Sequence, residues 1–142
     1  MREAYFEDFH VGEEMPPLVN EPVSEVQLVR YAGASGDFNP LHTVVRVGEA
    51  AGFGGVIAFG MLVMGMMGRA LSGWIPPRYL RRFRVRFLDV TRPGDVLTVV
   101  GKVVEKKKED GNNVVVWEVA AKDQDARVKV AGTFTAVLPC RR

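Results

Sequence analysis

An aspartate and a histidine, Asp37 and His42, lie five residues apart across a proline-containing turn. Burial in an apolar pocket raises the proton affinity of a carboxylate, and histidine titrates near neutral pH. The pair could therefore hold one water molecule and pass protons to and from it, which is general acid/base chemistry. Pro40 fixes its own backbone and restricts Asn39, so the loop can hold both side chains toward one point. The spacing alone is equally typical of an ordinary turn beside a half-buried histidine.

The elements that must position this loop can be predicted from the sequence around it. Residues 5–23 contain three prolines and little periodicity, which indicates an extended lead-in with one short strand. Ser24-Glu25-Val26-Gln27 has the form of a capping box, so we expect a helix that starts there and runs to about Gly33. Turn-forming residues dominate 35–40, which predicts a loop. A short helix is predicted from about Val44 to Ala51.

An uncharged stretch of 19 residues, 50–68, contains six glycines and reaches the length of a membrane span. The cluster Gly52-Phe53-Gly54-Gly55 should interrupt a helix there, because glycine costs about 1 kcal/mol per helical position relative to alanine. The remainder, about Ile57 to Leu71, is short and apolar on all sides. These properties favour a buried helix over a membrane span. Ser72-Gly73 and Pro76-Pro77 are predicted to end it.

The second half of the chain alternates between apolar and polar residues, as β-strands do. Within 80–88 two faces are predicted, one with Phe83, Val85 and Phe87 and the other with Arg82, Arg84 and Arg86. Turn signals at 109–112 and 123–125 separate further strands, which predicts an antiparallel meander. A long apolar helix followed by such a sheet indicates an α+β domain over residues 1–142, with the sheet wrapped around the helix. Dimerisation or a loop layer is expected to cover the rest of the helix.

Composition excludes several classes of function. The formal net charge of +2 is too small to indicate nucleic acid binding. Cys140 is the single cysteine, so no disulfide can form within the chain, which fits a reducing cytoplasm. The N-terminal residues do not resemble a signal peptide. The sequence contains no Cys/His cluster, and the glycines of 52–55 lack a lysine or dinucleotide spacing, so we expect neither a metal nor a bound cofactor.

The motif is more specific as a whole than in its parts. The string from Ser35 to His42, preceded by Tyr31-Ala32 and followed by Gly52-Phe53 and by residues 57–62, resembles the hydratase motif of MaoC-like hot-dog proteins. The segment 87–95, Phe-Leu-Asp-Val-Thr-Arg-Pro-Gly-Asp, resembles a later sheet segment of that family. The resemblance extends from about Phe6 to Leu138.

This resemblance implies a hot-dog fold, with an antiparallel sheet around a long central helix, and a homodimer or higher homo-oligomer with the sheets of each dimer joined edge to edge. It implies an acyl thioester of coenzyme A or of acyl carrier protein as the substrate, as in fatty acid metabolism. Asp37 and His42 would form the dyad that adds water across the 2,3-double bond of an enoyl thioester. The product would be an (R)-3-hydroxyacyl thioester, and the reverse reaction is a dehydration. Asn39 would hold the loop by hydrogen bonding.

Gly60 matches the family glycine whose backbone N–H points at the thioester carbonyl. Its predicted place near the start of the buried helix agrees with that role, because the N–H groups there lack intrahelical partners. Ser35, Phe59 and Met61 are further candidates for substrate contact. Phe59 and Val44 depart from the family pattern, since many relatives have histidine and an acid there. Both changes make the pocket more apolar.

Two other functions remain open. A hot-dog thioesterase also needs a carboxylate and an oxyanion donor, and a non-catalytic acyl-CoA-binding module or partner subunit could keep the same fold. Individual residues also have simpler explanations. Gly60 could serve helix packing alone, and methionines at helical spacing, such as Met64 and Met67, are more often core residues than an acyl-binding wall. The arginines at 82, 84 and 86 could contact phosphates of coenzyme A, or could form a solvated sheet face.

Overall fold

The computed structural model describes residues 3–141. Its helices are α1 (Glu25–Ser35), α2 (Val45–Ala50) and α3 (Gly60–Trp74). Its strands are β1 (Leu18–Val19), β2 (Leu80–Phe87), β3 (Thr98–Glu109), β4 (Asn112–Lys122) and β5 (Val128–Val137). Single 3₁₀ turns occur at Phe6–Asp8, Pro40–His42 and Pro77–Tyr79. Within the described residues no helix is both long enough and apolar enough to cross a membrane.

The five strands form one antiparallel sheet in the order β1-β3-β4-β5-β2. β3, β4 and β5 are consecutive neighbours, which confirms the predicted meander. Asp110 and Gly111 connect β3 to β4 with positive φ angles of 49° and 76°, the backbone geometry that a tight hairpin turn requires. β2 precedes the meander in sequence and pairs with β5, so it lies at an edge of the sheet. The sheet curls around α3, and the predicted α+β hot-dog fold is confirmed.

α3 packs against the concave face of the sheet through one apolar stripe. Its buried residues are Val63, Met66, Met67, Ala70 and Leu71. They join a core that includes Trp117 and Phe134, whose rings stack with centroids 4.4 Å apart. Burying one large apolar side chain contributes about 1.5–3 kcal/mol. This stripe therefore fixes α3, and with it the N-terminal end of the helix, relative to the sheet.

Three predicted helix ends were wrong. α3 begins at Gly60 rather than at Ile57, because Phe59 is extended (φ −64°, ψ 132°) and the N–H groups of Ile57 and Ala58 are tied to the carbonyls of Leu41 and Thr91. α3 also continues through Ser72-Gly73 to Trp74, since packing outweighs a glycine cost of about 1 kcal/mol. α1 likewise extends past Gly33 to Ser35. The predicted start of α1, where Ser24 provides a specific cap, agrees with the structure.

α1 illustrates the effect of such caps. The Ser24 Oγ atom accepts a hydrogen bond of 3.1 Å from the N–H of Gln27, as the predicted N-cap requires. At the other end Gly36 adopts the left-handed conformation, with φ 74°, and its N–H donates to the carbonyl of Ala32. The chain therefore leaves α1 directly into the loop that carries Asp37.

The opposite face of α3 is uncovered in the single chain. Met61 is 58% exposed, and the neighbouring residues Phe87 and Leu88 at the end of β2 are 51% and 59% exposed. These three side chains form an apolar patch beside the edge strand. Large exposed apolar patches usually mark interaction surfaces.

A buried ion cluster joins the start of β5 to the segment that follows β2. The Lys129 ammonium is 4% exposed and lies 2.8 Å from Asp89 Oδ2 and 3.3 Å from Asp123 Oδ2. Hydrogen bonding to Lys129 is the main cause that lowers the pKa of Asp89. Burial alone would raise the pKa of Asp123, but the N–H of Arg127 and the Lys129 ammonium lower it. Burial alone would lower the pKa of Lys129, but its two carboxylate partners raise it.

This cluster predicts an acid-dependent stability. A carboxyl whose pKa is lower in the folded state than in the unfolded state stabilises the protein above about pH 4, and the contribution is lost as the pH falls through the folded pKa. We expect the free energy of unfolding, measured by urea denaturation between pH 7 and pH 3, to fall less steeply in Asp89→Asn than in the wild type. Asp125→Asn, an identical change on an exposed loop, is the control. An equal pH dependence in the two variants would contradict the assignment.

Candidate active site

The loop that carries Asp37 is held by a succession of side-chain to backbone hydrogen bonds. Ser35 Oγ accepts from the N–H of Asp37 at 3.2 Å, and Asp37 Oδ1 accepts from the N–H of Asn39 at 3.1 Å. Asn39 Oδ1 in turn accepts from the N–H of Leu41 at 3.0 Å. Each oxygen caps the backbone two residues later, which is the Asx-turn pattern. The loop is thus ordered locally, and it continues into the 3₁₀ turn that ends at His42.

His42 is half-buried and its ring is fixed on two sides. Its Nδ1 atom lies 2.8 Å from the carbonyl oxygen of Ile57, and its ring stacks on Phe59 with centroids 3.9 Å apart and an interplanar angle of 28°. A carbonyl can only accept a hydrogen bond, so Nδ1 must carry a proton. In the neutral imidazole this leaves Nε2 as an acceptor. His42 is therefore held in the tautomer that can take a proton from water.

Gly60 is the first residue of α3, and among residues 3–141 no group accepts a hydrogen bond from its N–H. The N–H of Met61 is likewise without an acceptor there, whereas those of Leu62 and Val63 donate to the carbonyl of Phe59. Unpaired N–H groups at a helix N-terminus attract negative charge, because the helix dipole adds to their own. The end of α3 can therefore stabilise an oxyanion.

Packing also favours a glycine at position 60. A Cβ atom there would lie 2.9 Å from the ring of Phe87, so this half-exposed ring would have to shift to admit a larger residue. The packing of Gly60 and its N–H, which has no acceptor among residues 3–141, are separate properties of the same residue.

The sequence led us to expect Asp37 in an apolar pocket, and the structure does not place it in one. Its side chain is exposed, and the neighbouring Phe38 is 71% exposed. A cleft of about 1250 Å³ is lined by residues of β2 to β5 and by Met64 of α3, but Asp37, His42 and Gly60 do not line it. In the single chain the candidate site is an open surface. Among residues 3–141 no element covers the exposed side chains of Met61, Phe87 and Leu88 near Gly60.

The remaining candidates for substrate contact occupy different environments. Phe59 is 2% exposed, and its ring lies between His42 and Tyr31, whose centroid is 4.8 Å away. Because Phe59 is buried, its direct contact with a ligand is not supported. Its ring contacts His42 and Tyr31 instead. Met61 is exposed at the tip of α3 and Ser35 is exposed at the end of α1, so both are accessible.

Other residues singled out from the sequence take structural positions. Met66 and Met67 are buried in the core, as their helical spacing favoured, whereas Met64 is only half-buried and Met61 is exposed, so the core interpretation was wrong for Met61. Val44 precedes α2 without a side-chain hydrogen bond. The arginines at 82, 84 and 86 are exposed, and none of them forms an ion pair within the described part of the chain. In residues 3–141 no group of three His, Cys, Asp or Glu side chains could hold a metal ion.

Two backbone carbonyls with a role in the site were not anticipated. Ile57 orients His42, and Thr91 accepts a hydrogen bond of 2.7 Å from the N–H of Ala58. Every residue has a carbonyl, so residue type carries no signal for either contact. The sequence pointed only to the segment 87–95 as a whole, within which Thr91 is buried at 3% exposure.

Comparison with known proteins places these features in a family. A model of the MaoC like domain matches residues 8–125. A probable dehydratase, NIT22, from Ajellomyces capsulatus is 31% identical over 88 residues, which are 60% of this chain and only 23% of that protein. A 3-hydroxybutyryl-CoA dehydratase from Methylorubrum extorquens is 29% identical over 108 residues, which are 74% of this chain and 67% of that protein.

Solved structures agree with that match. The unliganded R-hydratase PhaJ1 from Pseudomonas aeruginosa superimposes with a TM-score of 0.83 at 25% identity, over 96% of this chain and 86% of that chain. A monoamine oxidase regulatory protein from Archaeoglobus superimposes with a TM-score of 0.83 at 28% identity, over 99% of this chain and 97% of that chain. With a family model that covers most of its length, this chain belongs to the family of MaoC like domains.

Proposed function

We propose that this protein catalyses the reversible hydration of a trans-2-enoyl thioester to an (R)-3-hydroxyacyl thioester. The observation that carries the proposal is that one short segment serves both catalytic requirements. The carbonyl of Ile57 fixes the tautomer of His42, and three residues later the N–H of Gly60, which has no acceptor in the described part of the chain, could bind an oxyanion. The proposed proton acceptor, His42 Nε2, and the proposed oxyanion donor, the Gly60 N–H, are therefore both positioned by the backbone segment 57–60.

The chemistry follows from the polarity of an enoyl thioester. As the oxygen of water bonds to C3, the electrons of the double bond shift toward the thioester oxygen, where the Gly60 N–H stabilises the enolate charge. His42 Nε2 and the Asp37 carboxylate hold the water and accept its proton. The dyad then delivers that proton to C2, so that one water is added and the protein regains its starting protonation state. One preorganised oxyanion donor contributes about 3–4 kcal/mol in comparable sites.

The relatives support the class of substrate. The named activity of the Methylorubrum extorquens protein concerns a coenzyme A thioester with a four-carbon acyl group, and the Pseudomonas aeruginosa protein is an R-hydratase. We infer an acyl thioester of coenzyme A, or of acyl carrier protein, as the substrate here. The role of Asn39 is to hold the loop, since it both donates to Asp37 and caps Leu41.

A second copy of the chain would complete the site. β2 is an edge strand, and the exposed side chains of Met61, Phe87 and Leu88 lie beside Gly60 at that edge. Pairing of two β2 strands would cover this patch and would satisfy unpaired backbone groups. It would also lower the local dielectric around the dyad, which strengthens electrostatic stabilisation.

Loss of the dyad should abolish hydration. With crotonyl-CoA as the substrate, we expect Asp37→Asn and His42→Gln each to lower kcat by about 10²–10⁴-fold, the usual contribution of a positioned acid or base. The disappearance of the conjugated enoyl absorbance measures the rate. His10→Gln changes the other histidine, which is exposed in the N-terminal lead-in, and should leave the rate unchanged.

The same assay separates the alternatives. Release of free thiol without a hydroxyacyl product would indicate a thioesterase, and binding of acyl-CoA without turnover at any chain length would indicate a non-catalytic module. Either result contradicts the hydratase proposal.

The oxyanion role of Gly60 can be separated from its packing role. Proline fits the first position of a helix and lacks the N–H, and the extended conformation of Phe59 (φ −64°, ψ 132°) suits a residue before proline. Gly60→Ala adds the same contact with Phe87 but keeps the N–H. We expect kcat of Gly60→Pro to be about 10²–10³-fold below that of Gly60→Ala. Equal rates in the two folded variants would assign Gly60 to packing alone.

The dimer can be tested at the apolar patch. We expect sedimentation velocity to give the mass of a dimer for the wild type and a shift toward the monomer for Leu88→Glu, with hydration activity falling in parallel. Val11→Glu introduces the same charge at a residue that is 61% exposed in the N-terminal lead-in and should leave the mass unchanged. A monomeric, active wild-type protein would refute the requirement for a second copy.

A further inference from the structure

The segment 88–91 connects the buried ion cluster to the backbone that carries Gly60. Asp89 contacts Lys129, and two residues later the carbonyl of Thr91 accepts the N–H of Ala58 at 2.7 Å. Ala58 lies two residues before Gly60. A continuous path of short contacts therefore leads from the start of β5 to the N-terminal end of α3.

Residues 57–59 are held from both sides by this arrangement. His42 Nδ1 binds the carbonyl of Ile57 on one side, and Thr91 binds the N–H of Ala58 on the other. The first turn of α3 holds only the last of these residues, since the carbonyl of Phe59 accepts the N–H groups of Leu62 and Val63, whereas Ile57 and Ala58 lie outside the helix. The direction of the Gly60 N–H is consequently set by the contact with Thr91 as well as by the helix.

Asp89 uses both of its carboxylate oxygens to fix the segment 88–91. Oδ1 accepts from the N–H of Val90 at 2.8 Å, and Oδ2 accepts from the Lys129 ammonium at 2.8 Å. The carbonyl of Lys129 also receives the N–H groups of Leu88 and Asp89, at 2.8 and 3.2 Å. These backbone contacts hold the start of the segment, whereas the carboxylate is what restrains Val90, next to Thr91.

We propose that Asp89 is a positioning residue: paired with Lys129, it holds the segment 88–91 so that Thr91 orients residues 58–60 and presents the Gly60 N–H to the substrate. The inference rests on the proposed function for its catalytic consequence. Its structural part, the restraint of Ala58 through Thr91, stands independently of the reaction.

The substitution Asp89→Asn tests this role while Lys129 keeps one carboxylate partner, Asp123. In aspartate one oxygen accepts from Val90 and the other from Lys129, and asparagine would place its NH2 group, which can only donate, where one of these two oxygens stands. Asp89→Asn therefore loses one of the two contacts in the observed geometry. Lys129 keeps Asp123 as a partner, and Asp123 is anchored separately by the N–H groups of Asp125 and Arg127. The Asp89 side chain is itself 47% exposed. Asp89→Asn should therefore fold.

The experiment compares Asp89→Asn with Asp125→Asn by two measurements. Amide hydrogen exchange at Ala58 reports the contact with Thr91 directly, and we expect exchange at least tenfold faster in Asp89→Asn than in the control. In the hydration assay we expect kcat to fall about ten- to a hundredfold with KM changed less than twofold, since a displacement of about 1 Å in a reacting group can cost a hundredfold in rate. Asp89→Glu, which restores two acceptor oxygens, should recover part of both properties.

The two proposals can fail separately. Ala58 exchange that is the same in Asp89→Asn and Asp125→Asn overturns the positioning role, whatever the activity does. The positioning role is also overturned if Asp125→Asn shows the same fall in kcat and the same loss of thermal stability as Asp89→Asn. The effect would then be a general destabilisation and would not depend on position 89. If the wild type does not hydrate enoyl thioesters, faster exchange at Ala58 still supports the restraint, and only the proposed function is lost.

Discussion

The hydrogen bond between His42 Nδ1 and the carbonyl of Ile57 is the constraint on which the candidate site depends. It links the loop after α1 to the extended residues before α3, and it determines which nitrogen of the imidazole can act on water. Phe59, two residues after Ile57, is extended rather than helical, so α3 begins only at Gly60. As at any helix N-terminus, the first N–H groups of α3 have no acceptor within the helix. The proposed proton acceptor and the proposed oxyanion donor are therefore held by neighbouring residues of one segment.

The core makes that arrangement stable. The apolar stripe of α3 fixes the helix on the sheet, and the helix tip can move only if Met67 and Leu71 leave their packed positions. Phe59 adds a buried ring between Tyr31 and His42. Its contribution is to restrict the imidazole plane through packing. A phenylalanine at this position is thus compatible with the proposed dyad.

Much of the fold could be predicted from the sequence, because its signals are local. Alternation gave the strands, the turn at Asp110-Gly111 gave the hairpin, and Ser24 gave the start of α1. The start of α3 could not be predicted, since Ile57 and Ala58 lie outside the helix and bind the carbonyls of Leu41 and Thr91, which belong to other loops. The prediction that Asp37 has apolar surroundings was wrong for a related reason. Burial of a loop residue depends on what covers it, and no local pattern describes that cover.

The exposure of Asp37 and the apolar patch at Met61, Phe87 and Leu88 have a common explanation. An edge strand with unpaired backbone groups is a template for pairing, and apolar side chains of this size are costly to leave in water. A surface that pairs β2 with another β2 would remove both costs and enclose the space in front of Gly60. The proposed chemistry also needs that enclosure, because a carboxylate in open water neither gains proton affinity nor benefits from a weak dielectric. Stability and the proposed catalysis would therefore favour the same covered arrangement, in which one chain would supply the reacting groups and a second chain would supply their surroundings.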